Sequence, residues 1–187
     1  MITTRLGTYA DFVNQLQEGQ FVRPEDFSKV TAFIEGFPRR GEVDLAKFLC
    51  EQKILTRFQA DAALDRRARE LLLSPFNLVD VLGSGSMGTV YKARATGRDA
   101  WYAVKVVPRR NTIGLNSVVE KVKALKEVRH PRVSALVHIG AQGDRVYLAW
   151  PFLEGGQRLD EFVKQQGKLT PRQAVQIALQ IASGLQA

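Results

Sequence analysis

The chain has 187 residues, 45% of them hydrophobic, and 27 Lys/Arg against 19 Asp/Glu give a net charge of +8; that suffices for one ordinary domain or two small ones with a real core. One cysteine, Cys50, excludes a disulfide framework and a cysteine-based zinc site, and no apolar run approaches the roughly 20 residues needed to span a bilayer. Residues 1–74 hold 11 Lys/Arg against 11 Asp/Glu, so all the positive excess falls in residues 75–187, where the cations are dispersed without interleaved aromatics and no specific nucleic-acid partner is expected.

The N-terminus, Met1-Ile2-Thr3-Thr4-Arg5, is not followed by a signal-peptide core, and a cytoplasmic location is expected. Residues 1–74 read as a small helical bundle. Tyr9 to Leu16 spaces Phe12, Val13 and Leu16 on one face, and Pro24 opens a second helix carrying Phe27, Val30, Phe33 and Ile34. Gly36-Phe37-Pro38-Arg39-Arg40-Gly41 breaks the pattern. A third helix over Val43 to Gln52 gathers Leu45, Phe48 and Leu49, with Cys50 as a small core residue, and Thr56 caps a fourth that continues through Leu64. Asp65 to Glu70 reads as a solvated, charged face at helical spacing. Ser74-Pro75 marks a boundary.

Next comes Leu82-Gly83-Ser84-Gly85-Ser86-Met87-Gly88-Thr89-Val90-Tyr91, then Ala103-Val104-Lys105. The spacing Gly-x-Gly-x-x-Gly alone also fits a dinucleotide fold or a mobile turn, so its surroundings decide. A dinucleotide fold needs a helix directly after the glycines, but Thr89 to Arg94 and Trp101 to Val107 alternate as strands. The closing Gly-Lys-Ser/Thr of a P-loop is absent.

Glycine hairpin and strand lysine together resemble the N-terminal lobe of protein kinases. The Met87-Gly88-Thr89-Val90-Tyr91 tail is most similar to bacterial, eukaryote-like Ser/Thr kinases, which often carry glycine where Ser86 stands, and the resemblance runs from Pro75 to the C-terminus. Leu49 to Ala60 also resembles the helical module preceding the kinase domain in some of these enzymes.

The resemblance implies a first strand over Asn77 to Leu82 and a second over Val90 to Ala95, with Gly83, Gly85 and Gly88 letting loop N–H groups approach ATP phosphates. It further implies that Leu82 and Val90 cover the adenine, Ala103 leaves room for it and Lys105 reaches the α- and β-phosphates. An ammonium in so apolar a strand needs a partner, so a following helix, Asn116 to Val128, is expected to supply Glu120. Glu120 stands one residue off strict alignment on the His130-Pro131 turn, where Lys121 would fall; Glu127 reads as a surface charge. A Lys105–Glu120 pair would break if the helix swung outward. Arg132 to Gly140 and Arg145 to Trp150 read as two more strands. Trp150, Pro151 and Leu153 fall at the gatekeeper and hinge, where the Pro151 carbonyl and Leu153 backbone would read the adenine edge; a bulky Trp150 and a proline at 151 depart from the family pattern. Both His130 and His138 read as structural.

Leu159 to Val163 suggests a short helix, and Thr170-Pro171 caps another with Val175, Ala178, Ile181 and Leu185 on one stripe. The expected fold is therefore α+β: an all-α module (1–74), a kinase-like N-lobe with an antiparallel five-stranded sheet and one main helix (75–154), and two helices of an incomplete C-lobe (155–187). The family's catalytic loop and metal-binding segment would lie beyond Ala187. The sequence thus reads as the N-terminal portion of a Ser/Thr protein kinase that binds ATP, needs Mg2+ only in its full-length parent, holds no metal itself and transfers no phosphate alone. The helical module is expected to dock a protein substrate or regulator, and the final helix to promote self-association. The alternative is a pseudokinase-like scaffold whose helical module recruits a protein partner.

Overall fold

The computed structural model describes residues 9–107 and 122–187. They fall into two compact units, divided along the chain between Val106 and Val107.

The first unit begins with four helices, α1 (Ala10–Glu18), α2 (Phe27–Gly36), α3 (Glu42–Glu51) and α4 (Arg57–Leu64). Each lies where the apolar spacing places it. Phe12 and Leu16 of α1, Val30 of α2, and Leu45 and Leu49 of α3 are almost wholly buried, and a Phe33–Phe48 stack at 4.8 Å ties α2 to α3. Tyr9 is buried with them, and its hydroxyl donates to the Phe37 carbonyl at 2.7 Å, fixing the breaker after α2. Thr56 caps α4 as predicted: its Oγ1 accepts from the Gln59 N–H at 3.2 Å while the Gln59 side chain accepts from the Thr56 N–H at 3.2 Å.

The charged run after α4 is not a continued helical face. Arg66 takes a left-handed φ of 61° and forks onto the Glu42 carboxylate at 2.9 and 3.0 Å. A short 3₁₀ turn, Ala68–Leu71, follows and buries Ala68 and Leu71. Tertiary contacts end the helix there: the Ala68 N–H is captured by the Gln15 side chain of α1 at 3.1 Å.

Four antiparallel strands complete the unit in the order β1 (Leu72–Leu73), β2 (Phe76–Gly85), β3 (Gly88–Ala95) and β4 (Trp101–Val107). Directly opposed residues of an antiparallel pair share a face. The register Leu78↔Ala93, Ala93↔Tyr102 and Tyr91↔Val104 therefore defines one face, and Gly83↔Val90, Val90↔Lys105 and Lys92↔Ala103 the other. The first face is buried, with Leu78, Ala93 and Val104 essentially inaccessible. Phe58 of α4 packs on Tyr91 with ring centroids 5.8 Å apart. Helix α4 thus packs on this face at β2 and β3. Asn77 extends the junction by donating to the Gly19 and Gln20 carbonyls at 2.8 and 2.9 Å.

The second unit holds a β-hairpin of β5 (His138–Gln142) and β6 (Arg145–Pro151), then α5 (Leu159–Gln166) and α6 (Pro171–Leu185). The expected strand from Arg132 starts only at His138. Pro131 has no N–H to give a ladder, the Arg132 N–H bonds His130 Nδ1 at 3.2 Å, and the Val133 N–H bonds the His130 carbonyl at 3.1 Å, so this backbone is committed to a turn. Because Nδ1 of His130 accepts, the proton of the neutral ring sits on Nε2, which donates to Ser183 Oγ of α6 at 3.2 Å. Thr170 caps α6 with Pro171 at its first position, as its sequence predicts, and Gln173 closes the capping box. The apolar stripe of α6, including Val175, Ile181 and Leu185, is exposed. Among the described residues no helix is long and apolar enough to cross a membrane.

Candidate functional site

The predicted glycine segment forms the tip of the β2–β3 hairpin. Gly85 opposes Gly88 across the Ser86-Met87 turn, and Gly88 has a φ of 118°, a region that glycine occupies without strain. A side-chain bond between Ser84 and Thr89 at 3.0 Å braces the tip. A Cβ added at Gly83 or Gly85 would meet nothing within 4 Å. Packing therefore does not demand glycine at either position.

Two register shifts mark β2, one between Leu78 and Asp80 and one between Val81 and Gly83. Bulges of this kind bend and twist a hairpin. Leu82, expected over the adenine, lies within the second irregularity and is 46% exposed.

The structure brings Gly83, Val90, Ala103 and Lys105 onto one face: Val90 stands opposite both Gly83 on β2 and Lys105 on β4, with Ala103 two residues along. Val104, between them in sequence, turns to the buried reverse side. A branched apolar residue, a small residue and a cation thus share the face that leads to the glycine-rich tip. Sequence reasoning passed over Lys92 and Trp101 on this same face. Lys92 opposes Ala103, and its ammonium lies 4.5 Å from the Trp101 ring centroid. Counting by twos from Val90 and from Lys105 would have found both.

Glu120 lies outside the described residues. The remaining predicted residues belong to the second unit. Trp150 and Pro151 end β6, after the fully buried Ala149. Leu153 is exposed, and its carbonyl accepts the Gly156 N–H at 3.0 Å in a turn that gives Gly155 a φ of 70°. His138, stacked on Tyr147 at 5.8 Å, has its pKa lowered by burial and, second, by the charge of Lys126. Burial likewise raises the Cys50 thiol, with Asp61 adding to it, so the thiol stays protonated at neutral pH. Among the described residues no group of three or more His, Cys, Asp and Glu is placed to hold a metal ion.

Comparison with known proteins converges on one family. A family model described as the protein kinase domain matches residues 76–187, more than half of the chain. CBL-interacting protein kinase 17 of Oryza sativa subsp. japonica is 29% identical over 120 residues, which are 63% of this chain and 26% of that protein. Serine/threonine-protein kinase H2 of Homo sapiens is 27% identical over 114 residues, covering 61% of this chain and 29% of its own length. The crystal structure of the M. tuberculosis PknI kinase domain matches with a TM-score of 0.53 at 18% identity, over 60% of this chain and 46% of that one, a likeness of fold. The chain therefore spans under a third of the length of these two curated relatives and under half of the solved domain. Glycine hairpin, strand lysine and family match agree: this chain belongs to the protein kinase domain family.

Proposed function

We propose that this chain binds ATP beneath the β2–β3 hairpin and serves as the nucleotide-binding part of a Ser/Thr protein kinase that transfers the γ-phosphate to protein hydroxyls. The observation that carries the reading is the single sheet face shared by Gly83, Val90, Ala103 and Lys105, with the opposite face already used for packing. Phosphate oxygens carry charge that a glycine-rich backbone and an ammonium can meet directly, whereas a side chain at Gly83 or Gly85 would hold them off. Lys105 orients the phosphates, Val90 and Leu82 cover the base, and Ala103 admits it. On the same reading Glu120 pairs with Lys105, Trp150 bounds the pocket, and the backbone of Pro151 and Leu153 reads the adenine edge; these roles come from the resemblance. Magnesium would neutralise phosphate charge when bound. The helical module acts as a regulatory unit, and the exposed α6 stripe favours association.

The test is a titration of the 187-residue chain with Mg·ATP beside its Lys105→Met variant. Saturable binding in the wild type, weakened about tenfold or more by the substitution, is expected, since a charge-assisted bond is worth roughly 1.5–3 kcal/mol. Equal binding by the two overturns the role of Lys105. No binding by the wild type moves the reading to a scaffold.

A further inference from the structure

We propose that α4 sets the position of the nucleotide hairpin, with Thr56, Phe58 and Gln59 as positioning residues that clamp the root of β2 and β3 from the side away from the nucleotide. The inference deepens the ATP-binding reading and rests on it.

The clamp has two parts. At the first irregularity of β2, Thr56 Oγ1 donates to the Val79 carbonyl at 2.5 Å, and Gln59 Nε2 donates to the Leu78 carbonyl at 3.3 Å in a buried setting. These two side chains also form the capping box of α4, so one pair of residues ties the helix start to two successive strand carbonyls. The second part is Phe58, one residue along, whose ring meets Tyr91 on β3 at 5.8 Å. Tyr91 directly follows Val90 in the chain and opposes Val81 on β2 and Val104 on β4. Both strands are therefore held just before their functional tip.

Beyond that grip the hairpin projects. Every residue from Val81 to Met87 is exposed, whereas Leu78 is buried. From Val79 to Gly85 the strand is about 20 Å long at roughly 3.3 Å per residue. On such a lever, a rotation of about 10° at the root moves the tip by about 3.5 Å, more than a hydrogen-bond length. The backbone N–H groups of Gly85 to Gly88 at the tip cannot meet phosphate oxygens from that distance. Small changes in how the helical module seats would thus be read out as loss of phosphate contacts, which couples a distant surface of the helices to nucleotide affinity.

The substitution that isolates the clamp is Thr56→Asp. Aspartate still caps α4 by accepting the Gln59 N–H, but an ionised carboxylate cannot donate to the Val79 carbonyl. Thr56→Ser keeps both bonds, and Phe58→Ala removes the ring contact. Hydrogen exchange resolved along the 187-residue chain and the Kd for Mg·ATP are measured on all four proteins. For Thr56→Asp and Phe58→Ala, amides of Gly83 to Val90 are expected to exchange about tenfold faster while α1 to α3 are unchanged, and ATP to bind about three- to tenfold more weakly. Thr56→Ser is expected to behave as wild type. Should Phe58→Ala fail to fold, the Thr56→Asp and Thr56→Ser pair decides alone. Unchanged exchange at Gly83 to Val90, or a uniform rise across the whole first unit, overturns the clamp. If the wild type binds no ATP, the nucleotide reading fails by itself, and hairpin exchange still judges the clamp.

Discussion

Replacing Gly85 by alanine should separate folding from function. In the structure a Cβ at Gly85 meets nothing within 4 Å, and its φ lies outside the left-handed range, so the fold can accept the methyl without adjustment. Gly85 closes β2 in register with Gly88. Within a strand, glycine costs about 0.5–1 kcal/mol relative to alanine through its larger unfolded-state entropy, so Gly85→Ala should hold or raise the melting temperature. Nucleotide binding should move the opposite way. Displacing the backbone from one phosphate oxygen forfeits a charge-assisted hydrogen bond of about 1.5 kcal/mol, roughly a tenfold loss of affinity. Gly88→Ala is the contrast: at a φ of 118° a Cβ brings strain of about 1–3 kcal/mol, and stability should fall with affinity. Thermal melts read by circular dichroism, paired with titration by a fluorescent ATP analogue, measure both quantities on the same samples. If Gly85→Ala lowers the melting temperature as far as Gly88→Ala does, or binds nucleotide as tightly as wild type, the argument that the ligand dictates glycine at 85 is wrong.

Two further outcomes test the packing. Tyr9→Phe removes the hydroxyl that bonds the Phe37 carbonyl and should cost about 1 kcal/mol, read as a fall of several degrees in a thermal melt; an unchanged melt would show that the bond adds nothing to the junction after α2. His138 has a folded-state pKa held low, so its full contribution is present above the ordinary imidazole value of about 6.5 and declines as acid protonates the unfolded chain first. His138→Phe keeps an aromatic ring against Tyr147, and its loss of melting temperature between about pH 7.5 and about pH 5.5 should be smaller than that of the wild type; an equal loss refutes the assignment.

The features legible in the sequence are those encoded within a few residues. Thr56, and Thr170 with Pro171, announced their helices because a cap is a local hydrogen-bonding device. Alternation in Thr89 to Arg94 and in Trp101 to Val107 announced β3 and β4, while the candidate site residues on them came from the family resemblance. Features settled by distant partners were not legible. The Ala68–Leu71 turn depends on Gln15, some fifty residues earlier, the two-residue β1 forms only because β2 offers an edge, and the late start of β5 reflects the capture of the Arg132 N–H by His130. The docking of α4 on β2 is of the same kind. Thr56 reads locally as a cap, and only the folded chain shows its hydroxyl also bound to a strand carbonyl.

The covered reverse face of the sheet has a consequence for how this polypeptide can be divided. A polypeptide begun at Pro75 would lack α4, whose Phe58 packs on Tyr91 and whose Gln59 reaches the Leu78 carbonyl, and apolar surface bared by its loss invites aggregation. Recombinant boundaries, and gene rearrangements that move one module without the other, should therefore succeed only when the helices and the hairpin travel together or when the bared apolar positions are rewritten as polar residues.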